Sequence, residues 1–339
     1  MSSAKPEVSV IIPAYNAVQT LSLQLEALGD QVAPPPFEVI VVDNGSTDGT
    51  GEMARAVMET APYPLQVISA TKHQGPGYAR NAGVKEARAN FLMFADADDV
   101  VSQGWVAAGR RAFESSRLWS GGARWMSGED MDGSVDEIRS SAEDTLAWEP
   151  VQPGDLENAF PVVMGCDFGC TREVFYQIGG FDQSHGTAFE DNDFGLRAHL
   201  HGVRVDLAPG VRIAYKGISA LSAEAARVRK QARGHVLDVV RYGLKDQSPM
   251  PNPAREVVRA SGAALLMAAG IRVRNWPGVF LRFKLAQGLI EGRILYATRF
   301  ALPAPQIGVG LYDDPHARRE DFQVGEPMRV NKKGSANED

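Results

Sequence analysis

The densest chemistry in the chain lies between Asn90 and Asp99, where a charge-free run, Phe91-Leu92-Met93-Phe94-Ala95, is followed by Asp96, Asp98 and Asp99. Three carboxylates in four positions repel one another and raise each other's pKa unless a cation sits among them. Hard oxygen ligands of this kind suit Mg²⁺ or Mn²⁺, which keep some waters and complete their shell from substrate phosphates. The pattern reads either as a divalent-cation site facing a diphosphate or as a solvated acidic turn without a ligand. The apolar run has the length and composition of a strand buried on both faces of a parallel sheet, with the acids at its carboxyl end.

Earlier segments share that layout. Glu7 to Pro13 is rich in β-branched residues and reads as a strand closed by its proline, with Ala14-Tyr15-Asn16 as the turn that follows. Leucines at 21, 23, 25 and 28 give residues 20–31 a helical pattern before the breaker Pro34-Pro35-Pro36. Phe37 to Val42 is a second strand, ending at Asp43-Asn44-Gly45-Ser46-Thr47-Asp48-Gly49-Thr50, a turn that offers backbone N–H groups and an acid or simply caps a helix. Leu65 to Ile68 is a third. Arg80 then stands near the start of a helix running to about Ala89, either as a phosphate or carboxylate contact or as a solvated surface residue. Strands alternating with helices predict an α/β fold with a mostly parallel sheet flanked by helices, and the loops carrying Tyr15, Asp43, Arg80 and Asp96 would open on one edge.

The pieces at 8–16 (Val-Ser-Val-Ile-Ile-Pro-Ala-Tyr-Asn), 41–50 (Val-Val-Asp-Asn-Gly-Ser-Thr-Asp-Gly-Thr), 77–83 (Gly-Tyr-Ala-Arg-Asn-Ala-Gly) and 94–99 (Phe-Ala-Asp-Ala-Asp-Asp) together resemble the family 2 inverting glycosyltransferases of the GT-A fold. The resemblance implies a nucleotide-sugar donor site with Pro13 and Tyr15 beside the base, Asp43 to the base, Arg80 near the diphosphate, and Asp96 with Asp98 at ribose and metal. Asp99 could share the metal role, the metal being Mg²⁺ or Mn²⁺.

A second block, Gly179-Gly180-Phe181-Asp182 followed by Glu190-Asp191-Asn192-Asp193, also resembles the family, and carried over by position Asp191 would be the catalytic base. An acid at a helix N-terminus is stabilised as the anion, so Asp191 is expected ionised, with Glu190 or Asp193 orienting it, or else as a plain helix cap. The resemblance runs over about residues 7–216. Where many relatives carry a histidine that helps hold metal or diphosphate, this chain has Ala214-Tyr215-Lys216-Gly217, which leaves Lys216 as a phosphate contact. The function implied is inverting transfer of a sugar, hexosyl-type, to an acceptor hydroxyl in cell-envelope polysaccharide or glycolipid synthesis. The rivals are a non-catalytic scaffold on the same fold, which would have lost its acids, and a nucleotidyltransferase, which would need a glycine-rich basic loop that residues 13–20 lack.

Composition bounds the rest. Cys166 and Cys170 have no second pair of ligands at zinc spacing, so they read as reduced structural residues. No apolar stretch is long enough to span a bilayer and the first residues lack a secretion signal's apolar core, so the expected location is cytoplasmic. The net charge of −7 is uneven: residues 1–220 hold 16 Lys/Arg against 30 Asp/Glu, and residues 221–339 hold 19 against 12. This division predicts a catalytic domain at 1–220 (donor half 7–100, acceptor half 101–220), a basic helical extension at 221–302, and a polar, partly disordered tail at 303–339.

Trp119, Trp125 and Trp148 lie in the irregular stretch 119–160, where each either stacks on a sugar or packs on the sheet. The extension interleaves Arg272, Arg274, Arg282 and Lys284 with Trp276, Phe280 and Phe283. That pattern suits peripheral contact with the inner face of an anionic membrane, or packing on the catalytic domain or on a second copy as a homodimer. No nucleic-acid motif accompanies the charge. The expected partners are thus a nucleotide-sugar donor and a glycan or lipid-linked acceptor.

Overall fold

A computed structural model describes residues 5–144, 149–218, 220–271, 275–297 and 302–312, so Trp148, Arg272, Arg274 and the expected disordered tail at 332–339 lie outside the described residues. The first hundred residues alternate as β1 (Val8–Ala14), α1 (Leu21–Gly29), β2 (Phe37–Asp43), α2 (Thr50–Met58), β3 (Leu65–Ser69), α3 (Pro76–Glu86) and β4 (Phe91–Ala95). Then come β5 (Val100–Val101), α4 (Trp105–Ala112), β6 (Leu118–Met126), α5 (Val135–Ser141), β7 (Asp167–Thr171), α6 (Arg172–Ile178), α7 (Glu190–Leu200) and β8 (Asp206–Lys216). Three long helices follow: α8 (Leu221–Arg241), α9 (Pro253–Ala268) and α10 (Trp276–Leu295).

The strands form one sheet in the order β3-β2-β1-β4-β7-β6-β8-β5. β1 pairs parallel with β2 and β4, and β2 with β3, whereas β7 runs antiparallel between β4 and β6. Because each inner strand is covered on both faces, its side chains alternate between two cores. Val8, Val10 and Ile12 of β1 enter one cluster with Met93 and Ala95 of β4, while Ile11 enters the other with Leu92 and Phe94. This is why the strands read as unbroken apolar runs.

Pro13 does not end β1 as expected from its missing N–H. It pairs in register with Val42, beyond the last β1–β4 pair, Ile11 with Phe94. It therefore occupies a stretch of β1 bonded on one side only, where a missing donor is tolerated. The order reverses at β1, with β2 to one side and β4 to the other, and ligands bind at the carboxyl ends of such a switch point.

The C-terminal helices pack as a layer of their own. Gly288 and Gly292 of α10 let it press onto α8, where a Cβ at Gly288 would lie 2.3 Å from the Arg229 carbonyl oxygen and one at Gly292 would lie 2.8 Å from the Val236 Cβ. Arg229 of α8 pairs with Glu291 of α10 at 2.6 Å, and Arg282 of α10 with Glu256 of α9 at 2.8 Å. Since backbone cannot move aside cheaply, Gly288→Leu should separate the two helices and cost about 1–3 kcal/mol. The check is a urea melt, and an unchanged midpoint would contradict the packing.

Candidate active site

The switch point opens into a cleft of about 690 Å³ whose walls include Pro13, Tyr15, Asn44, Asp96, Asp98 and Lys216. Two side chains that the sequence reading did not single out shape it. Asn44 donates to the carbonyls of Ala70 and of His73 (2.7 Å) and accepts from the Gly75 N–H at 2.7 Å, tying the β2 turn to the loop that enters α3. Gln24, fully buried on α1, donates to the Asp96 carbonyl at 3.1 Å and accepts from the Val101 N–H at 3.0 Å, so it grips both ends of the acidic turn. A glutamine on the apolar face of a leucine-rich helix was the signal that could have revealed it.

Asp43 accepts the Ser46 N–H at 2.9 Å and bends the turn that follows β2. Asp48 accepts the Val18 N–H at 3.1 Å and lines the cleft. Tyr15 is exposed at the cleft wall.

Arg80 is not a surface residue but buried, and it joins the two informative blocks of the sequence. Its guanidinium donates to Asp96 Oδ1 at 2.7 Å, to Glu190 Oε1 at 3.0 Å and to the Gly165 carbonyl at 3.1 Å. The acids after β4 and those at the start of α7 thus share one cation.

Asp191, next to Glu190, accepts from the Gly165 N–H at 3.2 Å and from the N–H and side-chain amide of Asn192 at 2.8 and 2.9 Å. A Cβ at Gly165 would lie 3.1 Å from Asp191 and 3.2 Å from Arg80, so any larger residue there would push these two side chains aside by a few tenths of an ångström. Burial outweighs the attraction of Arg80 and these donors and raises the Asp191 pKa, whereas the helix terminus alone suggested the opposite. A raised carboxylate is the better proton acceptor. Burial and then the Asp191 charge push Glu190 up to about 7. Asp193 is carried round the helix away from Asp191 and accepts from Arg197 at 2.8 Å and from the Tyr242 hydroxyl at 2.9 Å.

Asp96, Asp98 and Asp99 present carboxylate oxygens within 4.8 Å of one another. Asp99 is buried, with one oxygen on the Lys216 N–H at 2.9 Å and the other without a hydrogen-bond partner among the described residues. Its pKa is well above the ordinary value, by burial and then by Asp98. Asp98 reaches into the open cleft, yet the protein packed around it and the Asp96 charge push it up to about 6. An orphaned buried oxygen beside a second strained carboxylate is a donor set that fits a hard divalent cation. Cys166 and Cys170 are buried free thiols, raised by burial, and take no part.

A mixed, mostly parallel sheet with a cleft at its switch point and acids on the cleft floor defines a GT-A-type α/β protein. The match of residues 9–179, just over half the chain, to the model described as "Glycosyl transferase family 2" places it more closely, and the chain belongs to that family. Among curated relatives, the glycosyltransferase AglE of Haloferax volcanii is 41% identical over 110 residues, 32% of this chain and 36% of its own. The chain therefore spans about a third of that relative's length. Validoxylamine A glucosyltransferase of Streptomyces hygroscopicus subsp. limoneus is 26% identical, covering 79% of this chain and 74% of its own. The solved structure of mannosyltransferase PcManGT from Pyrobaculum calidifontis, in complex with GDP-Man and Mn²⁺, shares the fold with a TM-score of 0.60 at 18% identity, over 87% of this chain and 88% of its own.

The raised carboxylates make stability depend on pH. Because Asp98 keeps its proton in the folded state up to about 6, its stabilising effect is complete below the ordinary carboxylate range and is lost as pH rises through that value. In EDTA the urea midpoint should therefore fall between about pH 5 and pH 7.5, and fall less in Asp98→Asn. Equal falls in the two proteins would show that Asp98 is not strained.

Proposed function

We propose that this protein is an inverting, metal-dependent glycosyltransferase, hexosyl-type, that moves a sugar from a nucleotide-diphosphate sugar to an acceptor hydroxyl. The observation that carries the reading is the Arg80 bridge, which sets the acids after β4 beside Glu190 and Asp191 in one site. The complex of PcManGT with GDP-Man and Mn²⁺ and the name of validoxylamine A glucosyltransferase support a nucleotide-sugar donor, a cation and hexosyl transfer. Residues 7–100 serve as the donor half, 101–220 as the acceptor half, and 221–302 as the extension.

Pro13 and Tyr15 flank the donor's base. Asp43 lies outside the cleft-lining residues named above and reaches the base through the turn it shapes. Asp96, Asp98 and Asp99 would hold Mg²⁺ or Mn²⁺, which when bound neutralises charge on the donor's diphosphate. Lys216, on the same cleft, adds a fixed positive charge for the leaving phosphate.

Asp191 accepts the proton of the acceptor hydroxyl. The oxygen then forms its bond to the anomeric carbon on the face opposite the diphosphate, the bond from that carbon to phosphate oxygen breaks, and the nucleoside diphosphate leaves with the electron pair. A single displacement of this kind inverts configuration. Arg80 pins Glu190 beside Asp191, so the base is held rather than free to turn.

Asp191→Asn should lower transfer by about 10²–10⁴-fold, because the amide cannot take the proton. Its melting temperature should still rise with nucleoside diphosphate and Mn²⁺, because the donor site is intact. Near-normal turnover in this variant would remove Asp191 from the role of base.

The extension supports an acceptor in the cell envelope. No described helix is long and apolar enough to cross a membrane. On α10, however, Trp276, Phe280, Phe283, Ile290 and Ile294 fall at helical spacing on one face, 37 to 72% exposed, while Val279, Ala286 and Leu289 of the adjoining stripe are buried. Residues 253–295 carry seven Lys/Arg against two Asp/Glu, a balance that favours an anionic lipid surface at the inner face of the membrane over a second copy of a like-charged helix. The protein should sediment with phosphatidylglycerol vesicles but not with phosphatidylcholine vesicles, and Phe280→Ser with Ile294→Ser should abolish this. Equal binding to both vesicles, or a dimer in solution that those changes dissociate, would overturn the membrane reading.

A further inference from the structure

Of the tryptophans in 119–160, Trp119 is fully buried and Trp125 is 62% exposed. A bare indole in water forgoes the burial that usually holds tryptophan in place, so its surroundings are informative. Trp125 lies in β6 in register with Tyr215 of β8, so the two side chains emerge from the same face of the strand pair. Their rings meet edge to face at 4.7 Å.

The pair sits beside the cleft. Lys216, the residue after Tyr215, gives its N–H to Asp99 and lines the cleft, while a Cβ at Gly217 would meet the Trp125 ring at 3.4 Å. Arg227, in the second turn of α8, is close enough for its charge to act on both Tyr215 and Asp191. Glu224 holds its guanidinium at 2.8 Å through Nε. An exposed aromatic face, a phenol and a fixed guanidinium–carboxylate pair are the groups that bind a sugar ring, whose axial C–H bonds are apolar and whose hydroxyls both donate and accept.

We propose that Trp125, Tyr215 and Arg227 form the acceptor subsite and that its occupant is a pyranose, stacked by its C–H face on Trp125. This rests on the glycosyltransferase reading and names the acceptor class that the reading left open. Tyr215 supports the Trp125 ring edge to face, and Arg227 offers donors to the hydroxyls of the stacked ring. These are binding residues; the proton transfer remains with Asp191.

The test uses the full chain, its Trp125→Ala and Trp125→Phe variants, and a panel of p-nitrophenyl hexopyranosides as the probe. Saturation-transfer NMR should show the ring protons of at least one pyranoside in contact with the wild-type protein, lost in Trp125→Ala and kept in Trp125→Phe. Where transfer to that pyranoside is measurable, Trp125→Ala should raise its KM about tenfold with a smaller change in kcat. The melting-temperature rise with nucleoside diphosphate and Mn²⁺ should match wild type in both variants. Equal pyranoside contacts in wild type and Trp125→Ala, or none to wild type, would overturn the proposal. Failure of the glycosyltransferase reading would show separately, as no nucleotide-dependent melting shift in the wild-type protein.

Discussion

The buried guanidinium of Arg80 is the constraint on which the site depends. Burying one charge is costly, and this one is retained because Asp96, Glu190 and the Gly165 carbonyl all accept from it. The partners come from the end of β4, the loop that enters its sheet neighbour β7, and the start of α7, so the guanidinium ties the helix start to the sheet. The arrangement also has an electrostatic purpose. Five carboxylates, Asp96, Asp98, Asp99, Glu190 and Asp191, gather around the cleft floor, and the one buried arginine offsets only part of their charge. Burial first, and then the neighbouring carboxylates, raise the pKa values of Asp98 and Asp99.

A second ionic cluster shows the opposite solution. Asp182, His185 and Asp193 lie within 4.8 Å of one another and have the composition of a metal site. Arg241 occupies Asp182 at 2.8 Å and Arg197 occupies Asp193 at 2.7 Å, while His185 lies 3.0 Å from Asp238. Burial works against charge on His185, but Asp238 and Asp193 outweigh it and raise its pKa. Here the protein supplies its own cations, so the cluster is an internal lock and not a ligand site. Because Asp238 and Arg241 belong to α8, the lock joins the C-terminal extension to the segment that leads into α7.

The first four strands and the acidic turn were legible because they obey local rules: short apolar or β-branched runs, and carboxylates at a strand's end; the stretch 119–160, read as irregular, instead holds most of β6 and all of α5, whose alternation is broken by small and polar residues. The helical character of the extension was legible from composition and spacing. Neither the direction nor the partners of the charged residues were. Arg80 was open between a phosphate or carboxylate contact and a solvated position, because its carboxylate partners lie 16 and 110 positions away. Asp193 looked like a neighbour of Asp191, but two positions along a helix face nearly opposite sides, and Arg197 one turn on takes its carboxylate. The tryptophans could not be sorted by sequence at all. Trp119 packs in the core against Phe113, whereas Trp125, six positions along β6 and past a register shift, is exposed.

The link between extension and catalysis is strongest at Phe189. This bulky residue, immediately before Glu190 and Asp191, has φ = 78°, a left-handed conformation that side chains with a Cβ adopt at a cost of about 1–3 kcal/mol. Such strain persists only when its surroundings leave no alternative. The surroundings are α8, where a Cβ at Gly234 would lie 2.6 Å from the Phe189 Cβ and the His235 ring lies 5.8 Å from its ring. The helix thus presses on the one residue whose backbone angle aims the first turn of α7, while Asp238 and Arg241 farther along it hold the preceding loop. Removing α8 would let Phe189 relax to an ordinary conformation and turn Glu190 away from Arg80. On this argument the basic extension is not an appendage, because the geometry of the Glu190–Asp191 turn rests on it.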